Sequence, residues 1–461
     1  MTTPRASRAT VLGFVVAGVV GVAIRINNPL FYPTLWGFDA AKNWKYVERL
    51  LTSWELPAPD ALWAASHPPF FYYLSALLCR ALGVDGSLVG VLVVRSMNSL
   101  AGLGIVLLAV ALVRRVDPQA PRRALLAACL LLFLPVHIYM STIVSEEMLA
   151  AFFSSIAVVG VAFHLSPPDA SAPSKWSWGS NPLWRAMFLG IAAGLAFLTK
   201  LSGVLVVAAG AGAYALYGLR GRDPRRAFTC ALVFGIAAAL VGGWFYARNQ
   251  VLYGYLYPQD LSLHEIMFTM PPGDREPLDY VRIPLDTWRD PQVLSPDLQR
   301  SIWGTTYTSL YFDGHRHFLQ SEGEGVKRAG QILLTLALVP MLAMFTGLIR
   351  GLRRAFREPC GPDTPLLLLV AATLAGFVVF TWNNPWFAAV KASYLLGLCV
   401  PFAFYASEVL AKWTEGYRVR SFAVGAVLAA LFLAVALTFT FGPIFHKTDG
   451  LGIPWNPVEN R

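Results

Sequence analysis

The chain has 461 residues, 56% of them hydrophobic, 13% aromatic and only 14% charged, where a soluble globular domain carries about 25% charged residues. Its 37 Lys and Arg against 27 Asp and Glu give a net charge of +10. This balance excludes a soluble enzyme, a disordered chain and a nucleic-acid binder of ordinary composition; it fits a polytopic membrane protein whose basic residues hold loops beside an anionic membrane face.

A helix that crosses the hydrocarbon core needs about 20 mostly apolar residues. In chain order such runs lie near 9–26, 89–113, 123–139, 146–165, 186–199, 202–219, 227–246, 329–349, 364–382, 388–410 and 421–442, which is about eleven spans. Arg5 and Arg8 precede the first run and no small-residue cleavage pattern follows it, so it reads as a retained signal anchor. The run at 67–84 is shorter and opens with His67, Pro68 and Pro69. Reading it as a juxtamembrane helix puts four basic loops on one side: RRVDPQAPRR (with Arg114, Arg115, Arg122 and Arg123), RGRDPRR, RGLRRAFRE and KWTEGYRVR. That side is the cytoplasm by the positive-inside rule, with a cytoplasmic N-terminus and an external C-terminus. The expected architecture is an all-α polytopic membrane protein, a single membrane-embedded domain over 1–461. It has a first external loop at about 27–88, carrying juxtamembrane helices, and a large external loop at about 247–328, without a separate soluble domain.

The five cysteines (Cys79, Cys129, Cys230, Cys360 and Cys399) are scattered and form no CxxC, so they read as packing residues. GAGAYA at 210–215 has a glycine-rich look but lies inside an apolar run, where helix packing explains it. His315 and His317 in DGHRH read as surface-loop residues.

Charges within or beside spans need a reason, because each costs about 2.5–3.5 kcal/mol at a helix centre. The expected topology places Asp39, Glu146, Glu147, Lys200, Arg248 and Lys391 at nearly one depth near the outer interface. Acids and bases from five elements converging there point to one outward-facing polar cavity. Adjacent helical residues diverge by about 100°, so one of Glu146 and Glu147 is expected to face it. The blander readings are snorkelling for the lysines, a helix-end anchor for Arg248 and a loop cap for Asp39.

Motif order adds a resemblance. An acid in a long first external loop is followed by HPPFFYY, VRSMNSLAG opening a span, an external acid after LPVHIYMS, GLAFLTKLSG, RNQVLYGYLYP and finally KASYLL. This set resembles the GT-C membrane glycosyltransferases, in the branch of protein O-mannosyltransferases and bacterial aminoarabinose transferases (family 39), over most of residues 10–410. The chain departs from the protein mannosyltransferases where Ala40 follows Asp39, and in Lys391 where an arginine is frequent.

The resemblance implies an inverting glycosyltransferase. It would move a sugar from a polyprenyl-phosphate donor to an acceptor hydroxyl or amine on protein, lipid or glycan, at the outer face of a bacterial inner membrane. Asp39 would be the general base, Glu147 or Glu146 would orient acceptor or sugar, and Lys200, Arg248 and Lys391 would meet the leaving phosphate. His67, Tyr72 and Tyr394 would bind substrate, and Trp36, Tyr73 and Trp386 would stack on the sugar or line the lipid groove. It names no metal ligands and no certain cofactor, though a divalent metal is compatible with it. The competing functions are a transporter or lipid flippase, which calls for polar residues near mid-membrane and repeated halves, and a catalytically silent assembly subunit of the same frame. The expected partners are the lipid-linked donor and membrane lipids, with no nucleic acid.

Overall fold

The computed structural model describes residues 7–84, 86, 88–166, 181–220, 223–258, 261–319, 323–358, 361–415 and 417–445. Helix α1 (Arg8–Phe31) leads into a long connection that carries α2 (Ala40–Thr52) and α3 (Phe70–Ala81). Then come α4 (Leu88–Val116), α5 (Pro121–Leu132), α6 (Pro135–Met140), α7 (Glu147–Leu165), α8 (Pro182–Thr199), α9 (Gly203–Arg220), α10 (Pro224–Ala238) and α11 (Trp244–Tyr253). A second long connection of short helices precedes the apolar segments Glu324–Arg357, Asp363–Asn383, Phe387–Trp413 and Arg418–Thr440. Among the described residues, ten segments are long and apolar enough to cross a membrane. The protein is an integral multi-pass membrane protein.

Two apolar runs differ from simple spans. Helix α3 has 12 residues and so extends about 18 Å, too short for a core of about 30 Å. Its first turn packs beside His67 and α2, and it stays at the end of the bundle where α4 begins. The run expected at 123–139 is broken into α5 and α6 at Leu134 and Pro135. Proline lacks the N–H and its ring clashes with the preceding turn. The break exposes backbone carbonyls inside the bundle, where each unmet group costs several kcal/mol. Arg25 of α1 meets them, donating to the Leu132 carbonyl at 3.2 Å and the Leu131 carbonyl at 3.4 Å, with His137 Nδ1 2.6 Å away. The α5–α6 pair still carries the chain from one end of the bundle to the other, but as two helices rather than the single span expected.

Two charged poles mark those ends. At one, the Arg354 guanidinium grips Asp363 with two bonds of 2.9 Å and donates to Glu408 at 3.0 Å. Lys412 joins Glu408 at 3.2 Å, Arg123 lies 3.6 Å from Asp117, and Arg122 donates to the Thr414 carbonyl at 2.7 Å. Three of the four basic loops thus meet at a single pole. The other pole, at the opposite end of α4, holds Asp39, Glu146, Glu147, Lys200 and Lys391.

Small residues let the helices approach between the poles. The span Pro224–Tyr253 contains a π-helical turn at Ala239–Gly243, and Gly242 within it sits so close to the Gly194 carbonyl and Phe197 that a side chain there would collide. Gly210 of the GAGAYA stretch lies against the Phe234 ring in the same way, as expected of a packing glycine. Cys79, Cys129, Cys230 and Cys399 are free and buried; Cys360 lies outside the described residues.

Candidate active site

The first arm of the site is the turn that leads into α2. Leu35, Gly37 and Asp39 have φ values of 59°, 110° and 52°, all left-handed. Alternating this conformation along 35–39 curls the chain tightly, and Asp is among the few side chains that tolerate it. Asp39 stands at the N-cap of α2, yet its carboxylate makes no capping bond. It faces Lys42 Nζ at 3.8 Å and Lys391 Nζ at 3.9 Å, and its side chain remains 40% exposed. Burial works to raise its pKa, but Lys391, Lys42, His67 and His317 together outweigh that and hold the carboxyl below its ordinary range. At neutral pH it is an anion with an open edge.

The second arm is the start of α7. Glu146 precedes the helix and Glu147 opens it, and both side chains are buried. One ammonium serves both: Lys200 lies 3.5 Å from Glu146 Oε1 and in direct contact with Glu147 Oε1. Glu147 also accepts from Ser393 Oγ at 3.4 Å. Both glutamates thus share one lysine, but of the two only Glu147 lines the adjoining cavity, in keeping with the expectation that one of them faces it. Lys200 caps the C-terminus of α8, and from that turn its flexible stem reaches between the two carboxylates. Burial lowers the Lys200 pKa, but Glu147 and Glu146 overcome this and raise it. Burial raises that of Glu146, but Lys200 and His67 bring it below its ordinary value.

His67 joins the two arms. Its Nδ1 lies 3.5 Å from Glu146 Oε1 and 3.3 Å from the Tyr72 hydroxyl. Tyr72 donates to Asn43 Oδ1 at 2.9 Å and stacks on Tyr46 with ring centroids 4.1 Å apart. Fully buried, Tyr72 offers no face to a sugar, so it supports His67 instead. Tyr394 lies between the two ammonium groups, with Lys200 4.6 Å and Lys391 6.0 Å from its ring centre.

A small cleft, open to one side, lies beside these groups. Glu147, Lys200, Ser202, Ser393 and Tyr394 form its polar wall, and Ala150, Ala151, Leu205, Val206, Leu369 and Leu396 a mainly apolar one that Ser154 and Thr373 interrupt. The apolar residues come from four membrane spans, so the cavity runs from the charged pole into the bundle.

Other residues named from the sequence do not line the cavity. Arg248 bonds Asn249 Oδ1 at 3.2 Å and the Tyr253 hydroxyl at 3.4 Å, and among the described residues no ion pair joins it to this cluster. Trp36 is buried, Tyr73 donates to the Trp54 carbonyl, and Trp386 bridges to Pro272. His315 and His317, expected on a surface loop, instead pack their rings against Phe38 at 5.3 and 4.3 Å. Burial lowers the His317 pKa to about 4. Asp313 folds this loop inward by accepting the backbone N–H groups of Phe318 at 2.5 Å and Leu319 at 2.8 Å. An aspartate closing a loop on its own backbone N–H groups is the one local signal that could have found them. Lys42, also unnamed from the sequence, follows Asp39 by three residues on the same helical face. Among the described residues no group of three metal-ligating side chains is assembled. Each carboxylate already faces an ammonium, so the residues present do not fit a divalent metal.

Known proteins resemble this chain in part of its sequence and in its fold. Residues 65–253 match the family model for dolichyl-phosphate-mannose-protein mannosyltransferases. No curated protein sequence matches. Among solved structures, the Archaeoglobus fulgidus oligosaccharyltransferase in complex with Zn and sulfate superposes with a TM-score of 0.56 at 16% identity, over 93% of this chain and 53% of that one. The chain thus spans about half the length of that enzyme. ArnT from Cupriavidus metallidurans, bound to undecaprenyl phosphate, superposes with a TM-score of 0.54 at 15% identity, over 96% of this chain and 78% of that one. Its apo form gives 0.55 at 16% identity. The fold is GT-C-like, as the motif order led one to expect.

Proposed function

We propose that the protein is a polyprenyl-phosphate-dependent glycosyltransferase, working with inversion at the outer face of the membrane. The observation that carries this reading is the junction of a lysine-and-carboxylate pole with an apolar-walled cavity at Lys200 and Glu147. A sugar on a lipid phosphate needs that combination: cations for the phosphate, hydrocarbon for the chain, and a carboxylate for the acceptor. The mannosyltransferase match over 65–253 and the GT-C-like fold support it.

In this mechanism the acceptor O–H or N–H gives its proton to Asp39, whose carboxylate is ionised and has an open edge. The freed oxygen or nitrogen bonds the anomeric carbon from the face opposite the phosphate. The bond from that carbon to the phosphate oxygen breaks, and the lipid phosphate leaves with one more negative charge. An ammonium has three N–H donors. Two of those on Lys200 are taken by Glu146 and Glu147, which aims the third at the cavity. Lys391 is held only loosely by Asp39, and Arg248 has no carboxylate partner among the described residues; both are free to turn to the phosphate as it enters. Glu147 and Glu146 fix Lys200 and orient the sugar. The pole rich in arginine faces the cytoplasm, which puts Asp39 outside.

The test is transfer itself. Purified protein in vesicles, supplied with polyprenyl-phosphate sugars carrying a radiolabel, should release polyprenyl phosphate only when an acceptor is added. The product should carry the anomeric configuration opposite to the donor's. Movement of the lipid between leaflets with no sugar released would overturn the reading in favour of a flippase.

A further inference from the structure

The stretch VRSMNSLAG at the start of α4 takes no part in the chemistry above, yet it touches both acidic arms. Arg95, Asn98 and Ser99 are spaced three and four residues apart and so share one face of the helix. All three are buried. Arg95 Nη1 donates to the carbonyls of Pro29 and Tyr32 at 3.0 Å each, and Nη2 to that of Pro33 at 2.5 Å. These carbonyls end α1 and begin the turn that delivers Asp39.

One turn further along α4, Asn98 Nδ2 donates to the carbonyls of Ile143 at 2.7 Å and Ser145 at 2.9 Å. Its own Oδ1 is left without a partner. Ser99 Oγ donates to the Ser141 carbonyl at 2.9 Å. From the opposite side Asn43 of α2 donates to the Val144 carbonyl at 3.0 Å. Three successive carbonyls, 143 to 145, are therefore each taken by an asparagine amide immediately before Glu146. Buried carbonyls outside helices need partners, but these partners come from places that bear on the site. Asn43 sits one turn after Asp39 and bonds its carbonyl through the backbone at 2.8 Å. Arg95 holds the entry to the Asp39 turn from the same face of α4 that holds the glutamate arm.

We propose that Arg95 and Asn98 of α4, together with Asn43, form a jig that sets the separation between Asp39 and the Glu146–Glu147 pair. They are positioning residues: none touches the cavity. The inference rests on the reading of those carboxylates as the working groups. The jig acts on geometry at the reacting centre, so its loss reduces turnover and spares the lysines and cavity that hold the donor.

The experiment compares Asn98→Ala, Asn98→Asp and Asn43→Ala with wild type in vesicles. It measures kcat, KM for the lipid-linked sugar, binding of polyprenyl phosphate, and thermal melting. Asn43→Ala frees only the Val144 carbonyl of the arm, so it serves if the Asn98 variants fail to fold. The expected result is a fall in kcat of about ten- to a hundredfold, the scale of a misplacement near 1 Å, with KM and polyprenyl-phosphate binding unchanged. On a Glu146→Gln/Glu147→Gln background the same Asn98 substitution should have a much smaller effect, because the arm it positions no longer carries its charge. Wild-type kcat in the Asn98 variants, a loss that multiplies in full on Glu146→Gln/Glu147→Gln, or a loss that tracks melting alone overturns the jig. A wild type that transfers no sugar overturns both readings, whereas equal transfer by wild type and variants overturns the jig alone.

Discussion

Lys391 Nζ lies 3.9 Å from Asp39 Oδ2, across 352 positions of sequence, and Lys42 reaches the other oxygen of the same carboxylate at 3.8 Å. Two ammonium groups thus keep Asp39 ionised without capping or burying it. A base held in this way is present in its active form at every physiological pH, and its cost is a weaker proton affinity.

Asp39→Asn is expected to abolish turnover while expression, folding and donor binding stay near normal. Asn tolerates the left-handed backbone at 39 as well as Asp does, so the substitution removes the charge and keeps the turn. Loss of a general base costs about 10²–10⁴-fold. Transfer assays with purified donor and acceptor decide it. A variant that keeps more than about a tenth of wild-type transfer would move the base to Glu146 or Glu147.

The three cations should separate. Lys200→Met leaves two buried carboxylates facing one another, so it should lower stability as well as donor binding. Adding Glu147→Gln to it should restore melting without restoring binding. Lys391→Met and Arg248→Met should weaken binding of polyprenyl phosphate with little change in melting, since a lost charge-assisted hydrogen bond is worth about 1.5–3 kcal/mol. If all three single variants bind as tightly as wild type, the cations serve topology instead.

The pH dependence of melting has a defined sign. Burial raises the Glu146 pKa, but Lys200 and His67 pull it below its unfolded value, which is about 4.3. Its contribution to stability is therefore fully present above that value and is lost as the pH falls through the lower folded pKa. Lys200→Met removes the largest lowering influence, so acid destabilisation should begin at a higher pH than in wild type. Melting curves of the two proteins between pH 7 and pH 3 test this; coincident acid limbs would remove Lys200 as the cause.

Side-specific labelling tests the orientation. Single cysteines at the exposed positions Asp60 and Leu294 should react with an impermeant reagent from outside, and those at Pro118 and Arg353 should not. Reaction of Pro118→Cys from outside would reverse the membrane sidedness and turn the site toward the cytoplasm.

The list of parts and their order along the chain can be read from the amino acids alone. Apolar runs of sufficient length mark the spans, because each must satisfy its own backbone in lipid. The basic loops mark one pole, and the isolated acids and lysines beside the spans mark the other. The short run with His67, Pro68 and Pro69 could be set apart as a helix that does not cross. Which parts meet as partners depends on how the helices pack. The proline at 135 announces a break, but the arginine that meets the freed carbonyls stands on α1, 107 residues away from Leu132. Helical spacing turns one of two adjacent glutamates away, yet Lys200 joins both, because a long flexible side chain from another helix can reach what periodicity separates. The same holds for His317, which a loop motif places at the surface and the Asp313 turn folds against Phe38 beside Lys391. Local pattern encodes which residues share a face; which faces meet depends on packing between elements far apart in the chain.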